Sequence, residues 1–149
     1  MSTPLQLSGY CVDLLKVEAN ARFDKRREIT VSVGVDPQAL HHAKDPALHQ
    51  IVLTVSFERA KGDPKGTPYT GKIVGRGFFR LEPSDLSDAD KANLVLLNGS
   101  SILLGLLRAQ VAQVTALGSN GVFLLPPVNL VEVFAAKAAS LEAAATETT

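Results

Sequence analysis

The chain has 149 residues, enough for one domain with a real core and cramped for two. A hydrophobic fraction of 46% is too high for a disordered chain. Fifteen Lys and Arg balance fifteen Asp and Glu, so no overall field draws in a phosphate backbone and nucleic acid is not expected as a partner.

Cys11 is the only cysteine, which excludes an intrachain disulfide and a cysteine-rich zinc site. The first residues lack the charged and apolar regions of a signal peptide. The longest apolar stretch, Leu94 to Leu107, is interrupted by Asn98, Gly99, Ser100, Ser101 and Gly105 and reads as too short and polar to span a bilayer. These features predict a cytoplasmic chain without membrane insertion.

Residues 5–19 read as a strand whose phase slips. Leu5 and Leu7 are odd, Tyr10, Val12 and Leu14 are even, and Leu15, Val17 and Ala19 are odd again. A slip of one residue turns side chains to the other face, so one or two β-bulges are expected. Cys11, with no activating neighbour in sequence, reads as a buried thiol. The short run Lys25-Arg26-Arg27 reads as a solvated turn.

A second strand is predicted over 28–35, with Ile29, Val31, Val33 and Val35 on one face, followed by a turn-rich connection from Asp36 to Pro46. That connection holds the one cluster with metal-ligand chemistry, His41, His42 and Asp45, with His49 just beyond. Its spacing matches no familiar zinc arrangement, and no metal or cofactor is expected. A third strand over 49–58 buries Ile51, Leu53, Val55 and Phe57. A fourth, over 69–81, carries Gly71, Gly75 and Gly77 on its apolar face, where either a packed helix or a ligand comes close. Short connections make the sheet antiparallel.

Past Pro83 the period becomes helical. Ser87, with Asp90 three residues on, is a candidate N-cap for a short helix to about Leu97, and Asp85 and Asp88 suit its positive end. Asn98-Gly99 is expected to break that helix, and Ser100 or Ser101 to start a longer one ending at Gly118. This second helix is apolar on more than one side, through Leu103, Leu107, Val111 and Val114 among others. The excess predicts a subunit interface. Asn129 and Glu132 form a capping box for a last helix, fading into the alanine-rich residues 140–149. Four strands followed by helices make one α+β domain over 1–149.

No constellation amounts to an active site. The unusual segment is Val122-Phe123-Leu124-Leu125-Pro126-Pro127-Val128, an apolar, proline-stiffened connection where loops are normally polar. It either plugs the core or walls an apolar groove.

Together these residues resemble the SecB family of export chaperones. The likeness rests on Ile102-Leu-Leu-Gly-Leu-Leu-Arg108, then Gly118, then Pro127-Val-Asn129 and Phe134. Upstream, Gly77-Phe78-Phe79 and the pair Tyr10 and Asp13 are similar to family strands. The resemblance implies a four-stranded antiparallel sheet and a tetramer built as a dimer of dimers through Leu103, Leu107, Val111 and Val114. It implies no enzymatic activity and a groove for unfolded polypeptide, a preprotein or an antitoxin, formed by Val122, Phe123, Leu124, Leu125 and Phe79. It also implies that Asp13 and Glu18 stand where the family docks the basic tail of the motor SecA. Lys72 replaces an acid on the fourth strand, beside Arg76 and Arg80, so that docking is expected to be weak. Gly105, Leu106 and Leu107 depart from the family's Pro-Tyr-Ala. A hot-dog-type enzyme also pairs a long helix with a sheet. Such folds usually place the helix after the first strand with a carboxylate beside it, whereas residues 101–117 here contain no acid. A structural oligomer without a client is the other alternative.

Overall fold

A computed structural model describes residues 4–147, with side chains as far as Ser140. β1 (Leu5–Ala19), β2 (Ser32–His41), β3 (Leu48–Glu58) and β4 (Tyr69–Leu81) form one antiparallel sheet in the order β1-β4-β3-β2. One sheet face is packed by a π-helical turn (Val95–Gly99), α2 (Ser100–Thr115) and α3 (Leu130–Glu147), and α1 (Asp88–Leu94), which has no buried residue, leads into the turn. This is the α+β order that the periodicity predicts.

β1 carries two bulges, with register shifts between Leu7 and Gly9 and between Val12 and Leu14. Ser8 and Asp13 are the extra residues. The bulges keep Leu5, Leu7, Tyr10, Val12, Leu15 and Val17 opposite the inward-facing residues of β4. The second slip falls one residue earlier than the phase suggests, so Leu14 pairs with Val74 on the outer face. Cys11 shares that outer face and is exposed, not buried.

β2 lies farther along the chain than its alternation suggests. It starts at Ser32 and runs through Pro37 to His41, taking in half of the expected loop. Proline is tolerated because β2 is an edge strand. Lys137 of α3 donates to the Pro37 carbonyl and pairs with Asp36 at 2.8 Å. The Pro37 carbonyl therefore points away from β3, and its nitrogen, on the same side, gives up no ladder bond.

The expected break at Asn98-Gly99 is instead the π-helical turn, and residues 88–115 run as one 28-residue helix. By length and composition it is long and apolar enough to cross a membrane, contrary to the sequence reading. Its apolarity has another use here, because Leu103, Leu107 and Val111 are fully buried in the chain's own core. Those three are therefore not a subunit interface. Glycine permits this closeness: a Cβ at Gly75 would collide with the Leu107 methyls, and one at Gly99 would lie 3.2 Å from Ile51. Of the two readings for the glycine face, the packed helix holds.

Both predicted N-caps form. Ser87 accepts from the Asp90 amide at 3.2 Å, and Asn129 accepts from Val131 and Glu132 at 3.1 and 3.3 Å. Gly118 does not end α2 as a left-handed cap, since the helix closes at Thr115 and the positive φ belongs to Gly121. Gly118 has a steric reason instead: a Cβ there would run into the Tyr69 ring. α3 continues in helix to Glu147, through the alanine-rich stretch where fading was expected.

Candidate functional site

The crossover from α2 to α3 is the segment that the sequence singles out, and its geometry explains its composition. Successive residues alternate. Phe123 and Leu125 point inward and are 0% and 2% exposed, whereas Val122 and Leu124 point outward and are 57% and 69% exposed. The Phe123 ring packs 5.8 Å from Phe57 and 6.2 Å from Tyr69, centre to centre. Phe123 and Leu125 are thus anchors, and of the expected groove residues in this segment only Val122 and Leu124 reach solvent. Phe79 is also core, buried against Gly77 and Gly99.

Polar bonds fix the crossover where an extended backbone would otherwise lack partners. The Tyr69 hydroxyl bonds to the Gly121 carbonyl at 2.8 Å and accepts from the Asn120 amide at 3.0 Å. Asn120 Nδ2 donates to the carbonyls of Asn20 and Pro68. The Phe123 amide donates to Thr115 Oγ1 at 2.9 Å, and Arg108 donates through Nε and Nη2 to the Leu125 carbonyl. Sequence reasoning missed Tyr69, Thr115 and Asn120 as a latch, because their partners lie about fifty residues away or more in most cases. Arg108 stands in the motif that carries the SecB resemblance, but its bond to Leu125 is visible only in the fold.

Beside the outward residues, α2 shows solvent a face of small side chains. Gly105, Arg108, Ala109, Ala112, Leu124 and Leu125 line a shallow groove of about 220 Å³. Leu117, 93% exposed, stands where the crossover leaves the helix. A second apolar surface lies on the inner face of β1, which α2 leaves partly uncovered. Leu7, Tyr10, Val12 and Leu15 are 36–38% exposed there, alongside Ile102 and Val114 of α2. Val114 is the only one of the four expected interface residues that reaches the surface.

The histidine cluster does not assemble. His41 and His49 face each other across β2 and β3, while His42 Nδ1 accepts from the amides of Lys44 and Asp45 in the turn. Among the described residues no three His, Cys, Asp or Glu side chains gather as a metal site. Asp13 and Glu18 both lie on the outer sheet face, where Asp13 is paired with Arg76 at 3.1 Å.

A solved structure resolves the fold. The SecB-like chaperone of Mycobacterium tuberculosis, in complex with a ChAD peptide from the HigA1 antitoxin, superposes with a TM-score of 0.66 over 85% of this chain and 91% of that one, at 10% identity. This chain has the SecB-like fold. A Streptococcus agalactiae protein of unknown function covers the same share of this chain at 14% identity, with a TM-score of 0.47. No protein-family model matches the sequence, and no curated protein does.

Proposed function

We propose that this SecB-like chain is a chaperone that holds unfolded polypeptide on the apolar ledge formed by Leu117, Val122, Leu124 and the small-residue face of α2. The observation that carries this reading is the alternation in the crossover. Buried anchors and a polar latch hold large apolar side chains in water, at a cost that only a partner offsets. Small residues at Gly105 and Ala109 let an extended chain approach the helix closely, and a proline-stiffened wall loses little entropy on binding. The structural neighbour from Mycobacterium tuberculosis holds a peptide from an antitoxin. An antitoxin or a preprotein is the client class we assign here, in a cytoplasmic homo-oligomer that acts by binding and not by catalysis. Docking of a basic SecA tail is weak in this reading, because Arg76 already neutralises Asp13.

Suppression of aggregation of a chemically unfolded reporter protein, followed by light scattering, tests the proposal. The wild type should suppress aggregation near stoichiometry. The double variant Val122→Ser, Leu124→Ser should lose most of that effect with an unchanged melting temperature. A wild type that leaves aggregation untouched would overturn the reading.

A further inference from the structure

The outer sheet face, opposite the helices, has a pattern that the chaperone reading does not use. Along β4 the outward positions are Lys72, Val74, Arg76, Phe78 and Arg80, alternately basic and apolar. With a rise of about 3.3 Å per residue, the cations repeat every ~13 Å and an apolar side chain stands midway between each pair. Lys16 sits directly opposite Lys72, a like-charge pairing that disfavours the bare surface. Among the described residues no ion pair engages Lys16, Lys72 or Arg80; only Arg76 has one, with Asp13. Glu18 and Glu58 lie toward the far end of the face, across from Thr70 and Ser32. At the near end, beside Arg80, a cleft of about 850 Å³ opens, lined by Leu40, His42, Lys44, Leu48, Gln50 and Phe78. No described helix packs on this face.

We propose that the outer face is a second docking surface, for an acidic extended protein segment with carboxylates four residues apart and an apolar side chain midway. In an extended chain, side chains on one face recur every second residue, about 6.6 Å apart. Carboxylates at positions i and i+8 then meet the unpaired Lys72 and Arg80, and the one at i+4 competes with Asp13 for Arg76. Apolar side chains at i+2 and i+6 meet Val74 and Phe78, and residues beyond enter the cleft. Charge complementarity selects this partner and speeds its encounter. Single-stranded nucleic acid fits the surface less well: among the described residues Phe78 is the one aromatic of the outer sheet face, and its cross-strand neighbours Gly9 and Gln50, with Leu48 and Val52 diagonal to it, offer bases no stacking platform. The surface lies across the sheet from the crossover ledge, so the two sites do not share residues.

Fluorescence anisotropy of a labelled peptide, Asp-Ser-Phe-Ser-Asp-Ser-Phe-Ser-Asp, tests the assignment on the full chain at low salt. Binding with a dissociation constant below about 100 μM is expected, weakening steeply as salt screens the charges. Lys72→Glu with Arg80→Glu should abolish binding, and Phe78→Ala should weaken it about tenfold. Lys72→Ala with Arg80→Ala serves if charge reversal impairs folding, judged by circular dichroism. Leu124→Ser, which disables the ledge, should leave the affinity unchanged. The proposal is overturned if a lysine-for-aspartate version of the peptide binds as tightly, if the charge variants bind like wild type, or if a single-stranded oligonucleotide binds more tightly than the acidic peptide.

Discussion

Phe123 and Leu124 are chain neighbours of similar hydrophobicity with opposite surroundings, and they call for opposite experiments. Phe123 is buried between Phe57 and Tyr69, so Phe123→Ala leaves a cavity and should cost about 3–5 kcal/mol of stability. Denaturant melts will show the loss, while client binding per folded molecule stays near wild type. His49 makes a second residue-scale prediction. Burial, and then the charge of the neighbouring His41, holds its imidazole below the ordinary value of 6.5, against an opposing hydrogen bond to the Pro46 backbone. The unfolded chain therefore binds more protons at His49 than the folded one between the lowered value and 6.5. Stability falls as pH drops through that window. The melting temperature should decline as the pH drops below about 6.5, and His49→Gln should flatten the start of that decline.

At the scale of elements, the contact between α2 and β4 sets how near the crossover lies to the sheet. Gly75 leaves the space that the Leu107 methyls fill, and any side chain there must displace backbone or Leu107. Gly75→Val should destabilise by about 1–3 kcal/mol through overpacking, and pairing it with Leu107→Ala should recover part of the loss in a double-mutant cycle. Additive losses would show that helix and strand do not meet as described. The π-helical turn belongs to the same packing problem: Val95 and Gly99 are buried in it, and it brings Gly99 against Ile51 and Phe79.

For the whole molecule, the uncovered inner face of β1 predicts self-association. β1 is an edge strand with unpaired backbone, and on its inner face Leu7, Tyr10, Val12 and Leu15 are more than a third exposed. Each large apolar side chain fully covered contributes about 1.5–3 kcal/mol, so a patch of this size favours a second copy. Light scattering should find the wild type larger than a monomer. Val12→Asp or Val114→Asp should yield a folded monomer, whereas Val111→Asp, in the fully buried core, should unfold the chain. A wild-type monomer at micromolar concentration would end this reading.

The strands, their inner faces, the bulges in β1 and both N-caps were legible in the sequence because each depends on residues within a few positions of one another. Period two marks a half-buried strand, a phase slip marks a bulge, and a cap needs only a side chain two or three residues from an amide. The end of β2 was misplaced because Pro37 signals a turn locally, and only the strand order shows that it lies on an edge. The apolar crossover was likewise visible as an anomaly, but composition does not tell an anchor from a ledge. That distinction depends on Tyr69, Phe57 and Thr115, which lie 8 to 66 positions from Phe123 in the chain. Likewise, the long helix declared more apolar surface than one stripe requires, yet which residues face the sheet was decided by where β4's glycines let α2 sit. Local patterns determined the elements of this protein, and long-range packing decided which of their apolar side chains became core and which were left for a partner.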